Sequence, residues 1–247
     1  MTSPSPLLLI SDLHVSYGGV DAVRGLSLDL REGELTCVIG PNGAGKSTTV
    51  AAVAGGVRIK SGSVTFQGVD LNGRAPEDIA RLGISMVPEG RHVFGSLTVL
   101  ENLATGTYMR RDRSEAKSDV AVLLERFPRL GARQHLPAAR LSGGEQQMLS
   151  IARAVLTRPR LMLVDEPSLG LAPAIIDQVY ELLLDLKKTN GLTLLVVEQT
   201  TERILKYADR IYVVRGGAVQ LEGSAAQLRD GAAIKQAYFG FEREGAA

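Results

Sequence analysis

Leu26, Leu28 and Leu30 alternate with Ser27, Asp29 and Arg31, the period-two pattern of a strand with one buried and one wet face. The pattern then changes. Residues 35–40, LTCVIG, form an unbroken apolar run halted by glycine, and STTVAAVAGG follows with helical composition until Gly55 and Gly56 stop it. This succession predicts a buried strand, a glycine loop and a helix. In SGSVTFQGVDL the alternation returns, Val64 and Phe66 against Thr65 and Gln67, which predicts an edge strand of an antiparallel N-terminal lobe. Between Pro88 and Thr157 strand signals thin out and arginines and helix formers dominate, so residues 88–157 are expected to form an inserted helical lobe. Two further apolar runs, LMLVDEP and LTLLVVEQ, flank PAIIDQVYELLLDLKKTNG, where Ile176, Val179, Leu182, Leu183 and Leu186 recur at helical spacing. Two buried parallel strands joined by a crossover helix are the economical reading. Gly216 and Gly217 separate two strand-like runs in IYVVRGGAVQLEG, a hairpin signal, and Ser224 with Gln227 three residues on is expected to cap a final helix. The Ser/Pro-rich start and the EREGAA end are expected to fray.

Length and charge narrow the picture. The 247 residues suit one large domain, with 1–87 and 158–247 as its core and 88–157 as the inserted lobe. With 28 basic and 27 acidic residues the net charge is +1, which lacks the excess needed to neutralise many phosphates and excludes nucleic acid as the expected partner. A lone cysteine, Cys37, cannot form an internal disulfide, and no charged segment leads into an apolar N-terminal run, so a cytoplasmic protein is expected. Runs such as Leu192–Val197 fall far short of the roughly 20 residues that cross a bilayer.

The chemistry concentrates in three stretches. Residues 40–47 satisfy G-x-x-x-x-G-K-[ST], with Gly40, Gly45, Lys46 and Ser47 at the fixed positions and Pro41, Asn42, Gly43 and Ala44 between them. Backbone N–H groups can turn inward around phosphate oxygens only where side chains leave room, and the following helix N-terminus, running into Thr48, adds positive potential. Lys46 is placed to reach β and γ phosphates and Ser47 to ligate Mg²⁺. The second stretch is the end of the apolar run Leu161–Val164, where Asp165 and Glu166 set two carboxylates at the C-terminal end of a parallel strand, the edge where such sheets bind ligands. Asp165 suits Mg²⁺ and Glu166 suits the attacking water. The third is LSGGEQQ, 141–147, in which Ser142, Gly143, Gly144 and Glu145 open a second helix whose N-terminus can face a phosphate. One chain cannot readily use both helix starts on one nucleotide.

From Tyr17 to about Gly240 the chain resembles the ATP-binding subunits of ABC transporters. The resemblance implies an α/β fold: a P-loop NTPase (RecA-like) core with an N-terminal antiparallel β lobe and an inserted α-helical lobe. It implies ATP and Mg²⁺ as ligands, and a dimer in which the signature at Ser142–Glu145 closes on the γ-phosphate held by the P-loop of the partner. Tyr17 would stack on adenine, and SLGLAP after Glu166 would cross the dimer interface. Two positions depart from the usual pattern: Glu89 in MVPEGR stands where most members carry glutamine, and Gln199 in VVEQTT where most carry histidine. Glu89 thereby becomes a further candidate metal ligand and Gln199 a candidate catalytic group. Together with VPEGR and a terminal YFG, these departures are similar to one branch, the second ATPase subunit of branched-chain amino-acid uptake systems. That branch implies a heterodimer with another ATPase subunit, although a homodimer stays open. It also implies two membrane permeases, an indirect link to a solute-binding protein, and a peripheral place on the cytoplasmic face of the membrane. Urea and amide uptake ATPases stay open as alternatives, as does a soluble ABC protein without a permease; LSGGEQQ argues against a P-loop kinase or GTPase.

The remaining candidates are bland. His14, His92 and His135 lack metal-ligand spacing, Cys37 reads as a small core residue, and the arginines from Arg110 to Arg140, interleaved with acids, read as a solvated helical face.

Overall fold

The computed structural model describes residues 5–199 and 204–240; the first four residues and the EREGAA tail, both expected to fray, lie outside the described residues. The alternating segments form a hairpin, β1 (Leu8–Tyr17) and β2 (Val20–Leu30), paired from Leu8↔Leu30 to Tyr17↔Val20. Leu26, Leu28 and Leu30 are buried while Ser27 is exposed. The apolar run becomes β3 (Leu35–Ile39), buried throughout, and the glycine loop leads into α1 (Lys46–Val53). Next come β4 (Ser61–Phe66), β5 (Val69–Asp70), α2 (Pro76–Arg81) and β6 (Ile84–Val87). A run of helices follows: α3 (Val99–Gly106), α4 (Arg113–Arg126), α5 (Pro128–Gly131) and α6 (Gly143–Val155). The chain then returns through β7 (Leu161–Asp165), α7 (Pro173–Asn190) and β8 (Thr193–Glu198). It finishes with α8 (Ile204–Tyr207), β9 (Arg210–Arg215), β10 (Ala218–Ser224) and α9 (Ala232–Phe239).

Among the described residues the strands make two sheets, an antiparallel one in the order β2-β1-β4-β5 and a larger one in the order β10-β9-β3-β8-β7-β6. In the larger sheet every neighbouring pair runs parallel except the β9–β10 hairpin. One core cluster joins the antiparallel sheet to α1 and one face of the parallel sheet through Leu13, Leu26, Val50 and Val197. A second covers the other face with Val179, Leu183 and Leu186 of α7. The helices between β6 and β7 hold a cluster of their own around Leu103, Phe127, Leu130 and Leu149. This is the α/β architecture expected of a P-loop NTPase, with parallel strand ends and the glycine loop on one edge.

Two expectations are corrected. Ser224 and Gln227 do form the reciprocal capping pair, with the Gln227 N–H donating to Ser224 Oγ at 3.2 Å, but the pair closes a turn. The final helix starts only at Ala232, because Gly231, at φ 70°, breaks the path before it. Arg110 does not sit on a solvated face: its side chain is 8% exposed and pairs with Asp112 and Asp119. Its guanidinium also donates to the Leu156 carbonyl at 3.2 Å, tying α4 to the end of α6.

Candidate nucleotide site

The loop from Gly40 to Ser47 is built for close backbone approach. A methyl group at Gly40 would overlap the Val214 carbonyl of β9, and Gly45, at φ 98°, would bring one within 2.5 Å of the Ala22 carbonyl of β2. Both positions therefore require glycine. No acidic residue occupies the first turn of α1, so the helix start keeps its positive potential. Lys46, only 4% exposed, folds back onto its own loop and donates from Nζ to the Gly40 carbonyl at 2.9 Å and the Pro41 carbonyl at 3.2 Å.

The ends of β7 and β8 come up beside this loop. The Ser47 hydroxyl donates to Asp165 Oδ1 at 3.1 Å. Glu166 takes a left-handed conformation, φ 46°, unusual for a residue with a side chain; its N–H donates to the Val197 carbonyl at 2.9 Å. Its carboxylate accepts from Gln199 Nε2 at 2.9 and 2.7 Å and lies 3.8 Å from Lys46 Nζ. A cavity of about 290 Å³ gathers Asn42 to Thr48, Glu89, Glu166 and Gln199 on one wall. Beneath it, Glu198 is 3% exposed and accepts hydrogen bonds from Ser168 N–H (3.1 Å), Ser168 Oγ (2.8 Å) and Tyr180 Oη (2.9 Å).

Charge is unbalanced here. Burial, with help from the nearby Glu166 and Glu89 carboxylates, pushes Asp165 up to about 6, against the downward pull of its Ser47 hydrogen bond. Burial lowers the Lys46 ammonium from its ordinary value, opposed by Glu166 and Asp165. Among the described residues no three His, Cys, Asp or Glu side chains form a ready metal cage. The oxygen donors of Ser47, Asp165 and Glu89 still fit a hard divalent ion that completes its shell with water and phosphate, as Mg²⁺ does.

Ser142 to Glu145 do not line this cavity. Ser142 caps α6, its Oγ and backbone N–H both bonded to Glu145, and the Glu145 carboxylate, 6% exposed, also takes Arg133. That leaves the exposed Ser142 and the half-buried Gly143 as what the segment presents outward, with Gly144 buried against α7. Tyr17 is also absent from the cavity wall; 51% exposed, it closes the hairpin whose return strand passes Gly45 at Ala22. His92 and His135 are exposed, His14 contacts Asp12, and Cys37 is buried in the core.

Sequence reasoning missed three residues. Glu198 ends an apolar run and reads as a strand end. Asn102, fully buried, donates to the Phe94, Leu97 and Thr98 carbonyls and accepts the Phe94 N–H, pinning the loop after Glu89. Arg91, at φ 70°, lays its guanidinium against Gly143 and toward Gln146 Oε1 at 3.4 Å. Only the turn of a buried polar side chain toward a loop could have flagged them, and that is not a one-dimensional signal.

A second cavity, of about 580 Å³, separates β6 and α2 from α3 and α6. Ile79, Met86 and Phe94 give it apolar walls, and Ser85 Oγ, Ser150 Oγ and Arg153 Nη1 are buried in it without a partner among the described residues.

The ABC transporter family matches residues 23–169. The chain is 41% identical over 234 residues to the high-affinity branched-chain amino acid transport ATP-binding protein BraG of Pseudomonas aeruginosa, covering 95% of this chain and all of the relative. It is 34% identical to the probable branched-chain amino acid transport ATP-binding protein LivF of Archaeoglobus fulgidus, over 87% of this chain and 91% of that one. An ATP-binding cassette of an ABC transporter, solved in its ADP conformation, superposes with a TM-score of 0.83 at 27% identity, over 96% of this chain and all of that one. No helix among the described residues is long and apolar enough to cross a membrane. A glycine loop, a carboxylate pair and a separate signature helix, on a fold shared with a solved cassette, identify this chain as a member of the ABC transporter family, one of its ATP-binding ATPase subunits.

Proposed function

We propose that this chain is the ATP-hydrolysing subunit of a branched-chain amino-acid importer, acting at the cytoplasmic face of the membrane with a second ATPase subunit and two permeases. The observation that carries the catalytic part is the meeting, at one cavity, of the Gly40–Thr48 loop with Glu166 and Gln199, and of Ser47 with Asp165 beside it. The cargo rests on the printed names of the relatives.

Each residue then has a task. Lys46 exchanges the Gly40 and Pro41 carbonyls for the β and γ phosphates, and the N–H groups of the loop and of α1 hold the remaining oxygens. Ser47 and Asp165, with Glu89 nearby, hold the Mg²⁺, whose charge offsets that of the phosphates. Glu166 orients and polarises water, and its contact with Gln199 keeps the carboxylate aimed. Tyr17 stacks on the base, and Ser142, Gly143 and Gly144 with Glu145 as their brace close on the nucleotide of the partner subunit. Residues 88–157 move as a helical lobe, and the loop at 89–98 is the joint.

The 580 Å³ groove beside that joint receives a cytoplasmic loop of the permease, because its apolar walls and unpartnered Ser85, Ser150 and Arg153 atoms leave both burial and hydrogen bonding incomplete. Cysteines placed at Gly90 or Ser96 should cross-link to a permease in assembled vesicles, and those vesicles should accumulate leucine when ATP is supplied inside the site's compartment. Capture of soluble proteins only would favour a non-transport role, and uptake of urea or amides without leucine would move the cargo to the neighbouring branch.

A further inference from the structure

Three consecutive residues at the end of β8 grip the segment that carries the water-activating carboxylate. The Val197 carbonyl accepts the Glu166 N–H at 2.9 Å, and Gln199 Nε2 donates to both Glu166 carboxylate oxygens at 2.9 and 2.7 Å. Between them, the Glu198 carboxylate accepts both the N–H and the hydroxyl of Ser168, two residues past Glu166. The Val197 contact is a backbone bond in the plane of the sheet, whereas strand alternation turns the Glu198 side chain to the face shared with Tyr180 of α7. Glu166 sits at φ 46° and Gly170 at φ 67°, so the backbone on either side of Ser168 is held in the left-handed region. Such a turn keeps its shape only when neighbours over-determine it.

Nothing in packing calls for a carboxyl group at position 198. Leu194 and Val196, on the same face of β8, belong to the apolar cluster that includes Tyr180. Burial raises the Glu198 carboxyl from its ordinary value, opposed by its Ser168 and Tyr180 hydrogen bonds, so a carboxyl group here is costly to bury. An apolar residue would serve the core as well.

We infer that Glu198 is a positioning residue for hydrolysis: through Ser168 it fixes the turn that aims Glu166, and with it the loop Ser168–Leu171 that leads away from the site. The inference rests on the proposed role of Glu166 as the group that activates water. Glu198 touches neither water nor nucleotide and acts through the loop, so its loss should slow turnover and leave nucleotide affinity alone.

The test uses full-length chain assembled with its partner subunits, comparing kcat, ATP affinity and thermal midpoint. Glu198→Ala should lower kcat by about tenfold or more with ATP affinity within about twofold of wild type. Glu198→Gln keeps an acceptor for the Ser168 N–H and should recover most of that loss. In a Glu166→Gln background Glu198→Ala should add almost nothing, since both act on one step. Ser168→Ala deletes the hydroxyl contact but keeps the N–H one, and should lower kcat by about threefold even where Glu198→Ala fails to fold. Wild-type kcat in both Ser168→Ala and a folded Glu198 variant would overturn the inference. So would a full second loss in the Glu166→Gln background. A wild-type assembly that binds ATP but never hydrolyses it would instead overturn the catalytic reading on which the inference stands.

Discussion

Asp165 shows how a single residue can record what its site is built to hold. Its pKa stands near 6, above the ordinary 3.8, because burial and the facing Glu166 and Glu89 carboxylates outweigh the Ser47 hydrogen bond and the Lys46 ammonium. A raised carboxyl pKa makes the ionised form costly to the fold. Metal-free protein should therefore lose stability as the pH climbs from about 4 to about 6, and hold that loss above, with a ceiling of about 3 kcal/mol at roughly 1.4 kcal/mol per unit. Denaturant titrations in chelator at pH 5 and 7.5 measure it: Asp165→Asn should be the more stable protein at pH 7.5 and lose that advantage toward pH 4. Glu89 and Gln199 carry a second expectation. Gln199 donates a hydrogen bond to Glu166 but cannot become cationic, so turnover should lack a histidine step between pH 6 and 7 and run slower than at a histidine-bearing site. Gln199→His should raise turnover, and Glu89→Gln should raise the Mg²⁺ concentration for half-maximal rate; unaltered rate and metal dependence in both would make the departures markers without mechanism. Most of these residues were legible because fixed spacing places them: Lys46 and Ser47 follow the glycines, and Asp165 and Glu166 end an apolar run. Glu198 was not, since a carboxylate one residue before a loop reads as a strand end until its partners Ser168 and Tyr180, 30 and 18 residues away, are seen.

At the scale of elements, the close approach of α6 to α7 sets the signature segment. Gly144 sits at the start of α6, and a methyl group there would come within 2.5 Å of Ile175 Cγ2. Gly144→Ala should therefore cost about 1–3 kcal/mol by overpacking, measured by urea unfolding, and Ile175→Ala in the same chain should return part of it. Equal unfolding midpoints for Gly144→Ala and wild type would show that α6 can shift freely. Elements with a long periodic signal were legible: β2 from its leucines, and β7, α7 and β8 from two apolar runs around a helical repeat. The short ones were not. β6 has four residues and no alternation, and α2 has six, too few for a period to declare itself. Ser224 misled because a capping pair needs only local geometry, whereas a helix needs the residues after it, and Gly231 withholds them. Arg110 misled because neighbouring acids mark a wet surface or an internal clamp equally well, and only the fold brings Asp119 and the Leu156 carbonyl to it.

For the molecule as a whole, the P-loop cavity and the Ser142–Gly144 backbone are separate features of one chain. On the function proposed here, the loop of one ATPase subunit and the signature of another share a nucleotide, and neither feature would suffice alone. In that proposal Glu166 is the point at which gripping a nucleotide becomes hydrolysing it. The most direct measurement is therefore ATP turnover, with dimer formation followed on a sizing column, for wild-type and Glu166→Gln chains in the presence of the partner subunit. The amide keeps size and one hydrogen-bond acceptor but cannot polarise water, so turnover should fall by about 10² or more while ATP binding persists and closed dimers accumulate. Wild-type turnover from Glu166→Gln, or loss of ATP binding in place of turnover, would contradict the assignment of this site.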